Sequence, residues 1–151
     1  MHYALIAAVA LIGIEAAALA CSCMDTDDPA QLRTFAAEAS ANAVALVEVE
    51  ALTSYETTPA GEQLRVVRTL AGRAPPQFTV ERRGVPSSAS CDVLYAQGEK
   101  ALVILYPATG AAGSQPVYRT SGLCTVHLLD KPVFRDSVAD SIRAASGAER
   151  G

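Results

Sequence analysis

The sequence predicts a mainly β protein, a small closed barrel of five short strands with a helix at each end. Three observations predict it. Short segments of alternating apolar and polar residues recur between Gly- and Pro-rich breaks, the pattern of an all-β domain. Helix-start signals stand near the two ends of the chain. Behind an apolar leader, about 130 of the 151 residues remain, enough for one domain with a real core. Closing the sheet removes its exposed edges, and the helices cover what the barrel leaves open.

The leader comes first. Tyr3 to Ile14 is apolar, broken only by Gly13, and Glu15 then opens a short Ala-rich segment ending Ala18-Leu19-Ala20. Such a run is too short to span a bilayer, which needs about 20 residues. Followed by a small-x-small site, it reads as a secretory signal peptide over residues 1–20, although its start carries His2 and no Lys or Arg. Cleavage after Ala20 makes Cys21 the first mature residue and leaves a domain over 21–147. The rival readings are an uncut amino-terminal anchor and a lipoprotein acylated on Cys21. Against lipidation, Ala18 stands where Leu is usually wanted.

The elements follow in order. Asp28 is an acidic N-cap and Pro29 a first helical residue, and Leu32, Phe35, Ala36 and Ala39 recur at helical spacing, so a helix is expected over 29–39. A strand follows over 43–52, with Ala45, Val47, Val49 and Ala51 on one face and Glu48 and Glu50 on the other. A polar turn containing Pro59 and Gly61 leads to a second strand over 63–70, broken from Ala71 to Pro76. Residues 77–82 alternate around Phe78 and Val80 and make a third strand. An irregular connector over 84–90 delivers Cys91. The most buried strand is expected over 99–106, nearly continuous apolar sequence after a Gln97-Gly98 turn. A Gly-Ala-Ser loop follows. Residues 117–120 and 124–128 both read as extended, with Ser121-Gly122 as a bend or bulge between them. Asp130 is expected to cap a last helix over 132–145, with Phe134, Val138 and Ile142 every fourth residue and Gly147 ending it.

The cysteines are Cys21, Cys23, Cys91 and Cys124. Export implies an oxidising compartment, so this even count suggests two disulfides. Joining Cys21 to Cys23 would close a strained, tiny ring. Two long-range pairings remain open, each closing loops on the order of 70 to 100 residues, worth roughly 4 kcal/mol in the chain-entropy model. A zinc site is a weaker reading: no Cys-x-x-Cys knuckle is present, and His127, three residues after Cys124, reads as structural.

Charge and motifs narrow the function. With 16 acidic and 12 basic side chains the net charge is −4, and there is no basic block, which disfavours nucleic acid and anionic membrane surfaces. Arg82-Arg83 is too small for a basic patch. His127 has no Gly-x-Ser-x-Gly elbow to accompany it, and no phosphate-binding Gly loop appears. Asp25, Asp27 and Asp28 lack the Gly and terminal Glu of a calcium loop and read as a solvated turn plus an N-cap. Glu48 and Glu50 read as solvent-facing rather than as a catalytic pair, and Tyr95, Tyr106 and Tyr118 as core-edge aromatics. No enzymatic activity and no cofactor are expected.

One family matches this order of features. The start Cys21-Ser22-Cys23, Pro29 and Gln31 opening a helix, the strand over 43–52 and Leu64-Arg65-Val66-Val67 all resemble the inhibitory domain of the tissue inhibitors of metalloproteinases. Ser90-Cys91, Gly98-Glu99-Lys100 before an apolar strand, and the late Cys124 continue the resemblance over nearly the whole mature chain. It implies a netrin-like OB-fold barrel with the bridges Cys21–Cys91 and Cys23–Cys124. The third bridge normal to that domain has no counterpart here, the family's separate carboxyl-terminal domain is absent from this sequence, and the stretch Met24 to Asp28 is more acidic than the family's.

The chemistry of such an amino end can be argued on its own. A catalytic zinc keeps one coordination position open for water or substrate. A free α-amine and the carbonyl of the same residue form a five-membered chelate on such a metal. The amine must first lose its proton, from an ordinary pKa of about 8. Cys21 would supply both atoms, Ser22 would enter the specificity pocket, and Cys23 and Met24 would run along the cleft. Ala89 and Ser90 would occupy its other side. The expected partner is therefore a zinc metalloprotease, met in trans by a secreted (extracellular or periplasmic) monomer holding no metal itself. The alternative is a non-inhibitory netrin-like binding module, membrane-attached only if Cys21 carries a lipid.

Overall fold

The structure is a computed structural model, and it describes residues 23–82, 84, 91–108 and 115–148. The leader, Cys21, Ser22, Ala89 and Ser90 lie outside the described residues, so the expectations placed on them are not addressed by it. The elements are α1 (Pro29–Ser40), β1 (Ala45–Ala51), β2 (Gln63–Gly72), β3 (Gln77–Val80), β4 (Lys100–Pro107), β5 (Val117–Thr120), α2 (Leu123–Leu129) and α3 (Pro132–Ala148).

The five strands close into a barrel in the order β1-β2-β3-β5-β4. β1 is antiparallel to both β2 and β4, and closure comes from a parallel contact of β3 with β5, Thr79 beside Val117. The expected small five-stranded barrel is therefore present, consistent with a small OB-like fold, but the three helices hold as many of the described residues as the strands do, so the chain is mixed α and β rather than mainly β.

Two apolar cores sit on opposite sides of the β1–β4 wall. Ala45, Val47, Val49 and Ala51 point inward to Leu64, Phe78, Val80, Val103 and Leu105. Leu46 and its register partner Ile104 point outward, onto Leu32 and Ala36 of α1 and Phe134, Val138 and Ile142 of α3. This explains the unbroken apolar run of β4: both of its faces are covered. Each fully buried Leu, Ile, Val or Phe contributes roughly 1.5–3 kcal/mol of transfer free energy.

α1 starts where its sequence says. The Asp28 carboxylate accepts from the Ala30 amide at 2.8 Å, and Pro29 fills the first helical position. β2 runs to Gly72, past the expected break at Ala71, because Ala71 is buried and Gly72 still pairs with Ala45. Gly72 has φ +75°, and a Cβ there would lie 2.0 Å from the Val44 carbonyl oxygen, so the strand can end this way only on glycine.

The carboxyl-terminal third corrects the sequence reading. Residues 124–128 are not extended; they belong to α2, making three helices rather than two. Ser121 explains the change of direction. Its amide donates to the Ile104 carbonyl at 3.0 Å and its hydroxyl accepts from the Ile104 amide at 3.1 Å, which ends the β4–β5 ladder. Gly122 then accepts from the Val126 amide at 3.0 Å, a helical bond. The alternation of Cys124, Val126 and Leu128 with Thr125 and His127 fits a strand over so few residues; packing of adjacent Leu128 and Leu129 on the helical core decided it. Asp130 is the C-cap of α2 and not the N-cap of α3, whose first turn is closed by Arg135 donating to the Lys131 carbonyl at 3.0 Å. Gly147 lies inside the last turn of α3 rather than ending it.

Tyr95 is more deeply placed than an edge aromatic. It is buried in the barrel core, and burial pushes its phenol up to about 12. Between pH 10 and 12 the folded chain therefore holds a proton that the unfolded chain releases, so stability falls as pH rises through that window. The loss should reach about 2–3 kcal/mol near pH 12. Urea titrations of the wild type and Tyr95→Phe at pH 9 and pH 11.5 check this: the variant should lose less stability between the two.

Candidate functional site

Three of the four cysteines meet at one end of the barrel. Cys23 is bridged to Cys124, with the Cα atoms 5.0 Å apart. Cys91 is disulfide-bonded as well, and the described chain holds no free cysteine. The partner implied for it, Cys21, lies outside the described residues. The backbone joins the same cluster: the Leu123 amide donates to the Cys91 carbonyl at 2.9 Å. A Cβ on Gly122 would stand 3.2 Å from that carbonyl oxygen, so the absence of a side chain at Gly122 permits the approach. Cys91 is one of two non-glycine residues with positive φ among the described residues, at 52°, a conformation that costs of order 1–3 kcal/mol and is held by the structure around it.

The residues that follow Cys91 are held by a buried ion pair. Glu62 is fully buried and is paired with Arg82, itself nearly buried. The Arg82 guanidinium also donates to the Val93 carbonyl at 2.7 Å, and Glu62 accepts from the Tyr95 amide at 3.2 Å. One charge pair thus ties the start of β2 and the end of β3 to the residues two and four beyond Cys91. Arg82 additionally lies 5.9 Å from the centre of the Tyr55 ring.

The segment after Cys23 is neither helix nor strand up to Asp28, yet it is pinned repeatedly. Lys131 Nζ donates to the carboxylates of both Asp25 and Asp27 at 2.7 Å. The Asp28 amide donates to the Thr26 hydroxyl at 3.2 Å before Asp28 caps α1. The hydrogen bond from Lys131 holds the Asp25 carboxyl below its ordinary range, and the two aspartates hold the Lys131 ammonium above its own. The solvated-turn reading of Asp25 to Asp28 is thereby refined, since two of the carboxylates share a cation.

Large apolar side chains are exposed close in sequence to these cysteines. Met24 is 63% exposed, Leu94 47% and Leu123 45%; each lies within three residues of a cysteine of this cluster.

No family model, no curated protein and no solved structure matches this chain.

The remaining candidate residues fall elsewhere. Glu48 and Glu50 face Arg68 and Arg65 across the β1–β2 ladder, at 3.1 and 2.8 Å, as cross-strand ion pairs. His127 is exposed in the last turn of α2, not in a strand, and among the described residues no three His, Cys, Asp or Glu side chains gather to hold a metal. No described helix is long and apolar enough to cross a membrane. Tyr106 donates to the Ala39 carbonyl at 2.6 Å, tying β4 to α1, and Tyr118 stacks edge-on against Phe78. The residue that sequence reasoning missed is Glu62. It sits between a polar turn and a strand, and its burial follows only from a partner twenty residues on.

Proposed function

We propose that this chain is a secreted inhibitor of zinc metalloendopeptidases, a netrin-like barrel whose mature amino end at Cys21 caps the catalytic zinc of its target. The observation that supports this best is the crosslinked end. The Cys23–Cys124 bridge and the Cys91–Leu123 hydrogen bond bring Cys23 and Cys91 together, and Met24, Leu94 and Leu123 are exposed close to them in the sequence.

The α-amine and carbonyl of Cys21 displace the metal-bound water, and without that nucleophile the enzyme stops. Ser22 enters the specificity pocket, Cys23 and Met24 continue along the cleft, and Ala89 and Ser90 line its other side. A rigid edge loses little ordering entropy on docking, so most of the contact energy appears as affinity. Pairing of Cys21 with Cys91 would fix the chelating residue to the same edge. The protein acts in trans, as a monomer, and supplies no metal.

The test is a panel of zinc endopeptidases assayed with protein processed to Cys21 and with the unprocessed chain. Inhibition by the processed form alone is expected. Absence of inhibition from every member, with intact mass confirming a bare Cys21, would leave a netrin-like binding module as the reading. A mass raised by acyl chains on Cys21 would point to a lipid-anchored form of that module.

A further inference from the structure

We infer that Lys131 is a positioning residue for the inhibitory edge, holding Met24 to Asp27 in the path the target cleft receives. This rests on the inhibitor reading above. The segment from Cys23 to Asp28 has no ladder or helix of its own, and its outer residues are exposed. Two anchors come from one place in the fold. Cys124 on α2 holds Cys23 covalently, and Lys131, two residues beyond α2, holds Asp25 and Asp27 at 2.7 Å each.

Lys131 is itself firmly mounted. Its amide donates to the Leu128 carbonyl at 2.9 Å and its carbonyl accepts from the Arg135 amide at 3.0 Å. It stands between the buried residues Leu129 and Phe134, and its side chain is only 19% exposed. The two carboxylates are 73% and 95% exposed, so the clasp adds little to folding stability. Its effect lies in the free protein's conformation. With Lys131 in place, Met24 and its neighbours are already ordered when the target arrives; without it, that ordering must happen on binding. Asp25 and Asp27 are thus consumed within the inhibitor, so they do not offer a basic cleft rim the full charge that the sequence displays.

The experiment uses mature protein and one susceptible zinc endopeptidase. Lys131→Met should raise the inhibition constant about tenfold or more, while the melting temperature stays within a few degrees. Lys131→Arg, which can still reach both carboxylates, should restore most of the inhibition. Asp25→Asn with Asp27→Asn should weaken inhibition to the same extent as Lys131→Met, and all three together no further, the non-additivity of one shared contact. Amide hydrogen exchange over 24–27 should quicken in Lys131→Met. If the wild type inhibits and Lys131→Met inhibits equally, the positioning role is wrong and the inhibitor reading stands. Additive losses from the lysine and the aspartates would also overturn it, since each would then contact the enzyme for itself. A wild type that inhibits nothing removes the inhibitor reading, and the positioning role falls with it.

Discussion

Replacing Arg82 by methionine is expected to cost about 3–5 kcal/mol of folding stability, the largest loss anticipated for any single side chain here. Glu62 is fully buried, and Arg82 is its cationic partner, 6% exposed. Removing the guanidinium strands a carboxylate away from water and leaves the Val93 carbonyl without its donor. Such a loss exceeds that of any exposed pair on this surface, including Glu50 with Arg65. The cause can be separated from lost packing. Glu62→Leu combined with Arg82→Met removes both charges and should recover most of the deficit, because the cost lies in the orphaned charge rather than in the pair itself. Urea unfolding at pH 7 measures both. A single variant within 1 kcal/mol of wild type would mean that water reaches Glu62. The defect also has a local consequence: the residues that follow Cys91 lose their tether.

The second large effect concerns the bridge between Cys23 and Cys124, which spans 101 residues. Cys23→Ala with Cys124→Ala is expected to cost about 4–5 kcal/mol, the chain-entropy value for a loop of that length. Because α2 is short and carries Cys124, its anchoring to the amino end should go with the bridge. The midpoint of denaturant unfolding checks the magnitude. Inhibition should fall much further than Lys131→Met lowers it, since the covalent anchor and the ionic one hold the same segment.

The strands were legible because alternation is a local property. β1 shows it in Ala45, Val47, Val49 and Ala51, and β3 in Phe78 and Val80, so position along the chain alone told which residues face the barrel interior. The amino-terminal helix was legible from Asp28 and Pro29, whose capping chemistry acts within one turn. What was not legible depends on distant partners. Residues 124–128 are helical because Ser121 spends its hydrogen bonds on Ile104 and because Leu128 and Leu129 pack onto α3, and neither fact is visible in five residues. The burial of Glu62 required Arg82. The sharing of Lys131 by Asp25 and Asp27 required a lysine more than a hundred residues away. The Cys23–Cys124 bridge was thus implied by the resemblance, while the charges that pin the segment after Cys23 emerged only from the fold.

One measurement bears on the central claim most directly: titrating a zinc endopeptidase with mature protein that begins at Cys21, and with the same protein carrying one alanine ahead of it. The account predicts stoichiometric or near-stoichiometric inhibition by the first. The second should fold with the same disulfides and melting temperature yet fail to inhibit, because the added peptide bond takes the lone pair of the chelating nitrogen. Equal inhibition by both forms would contradict it.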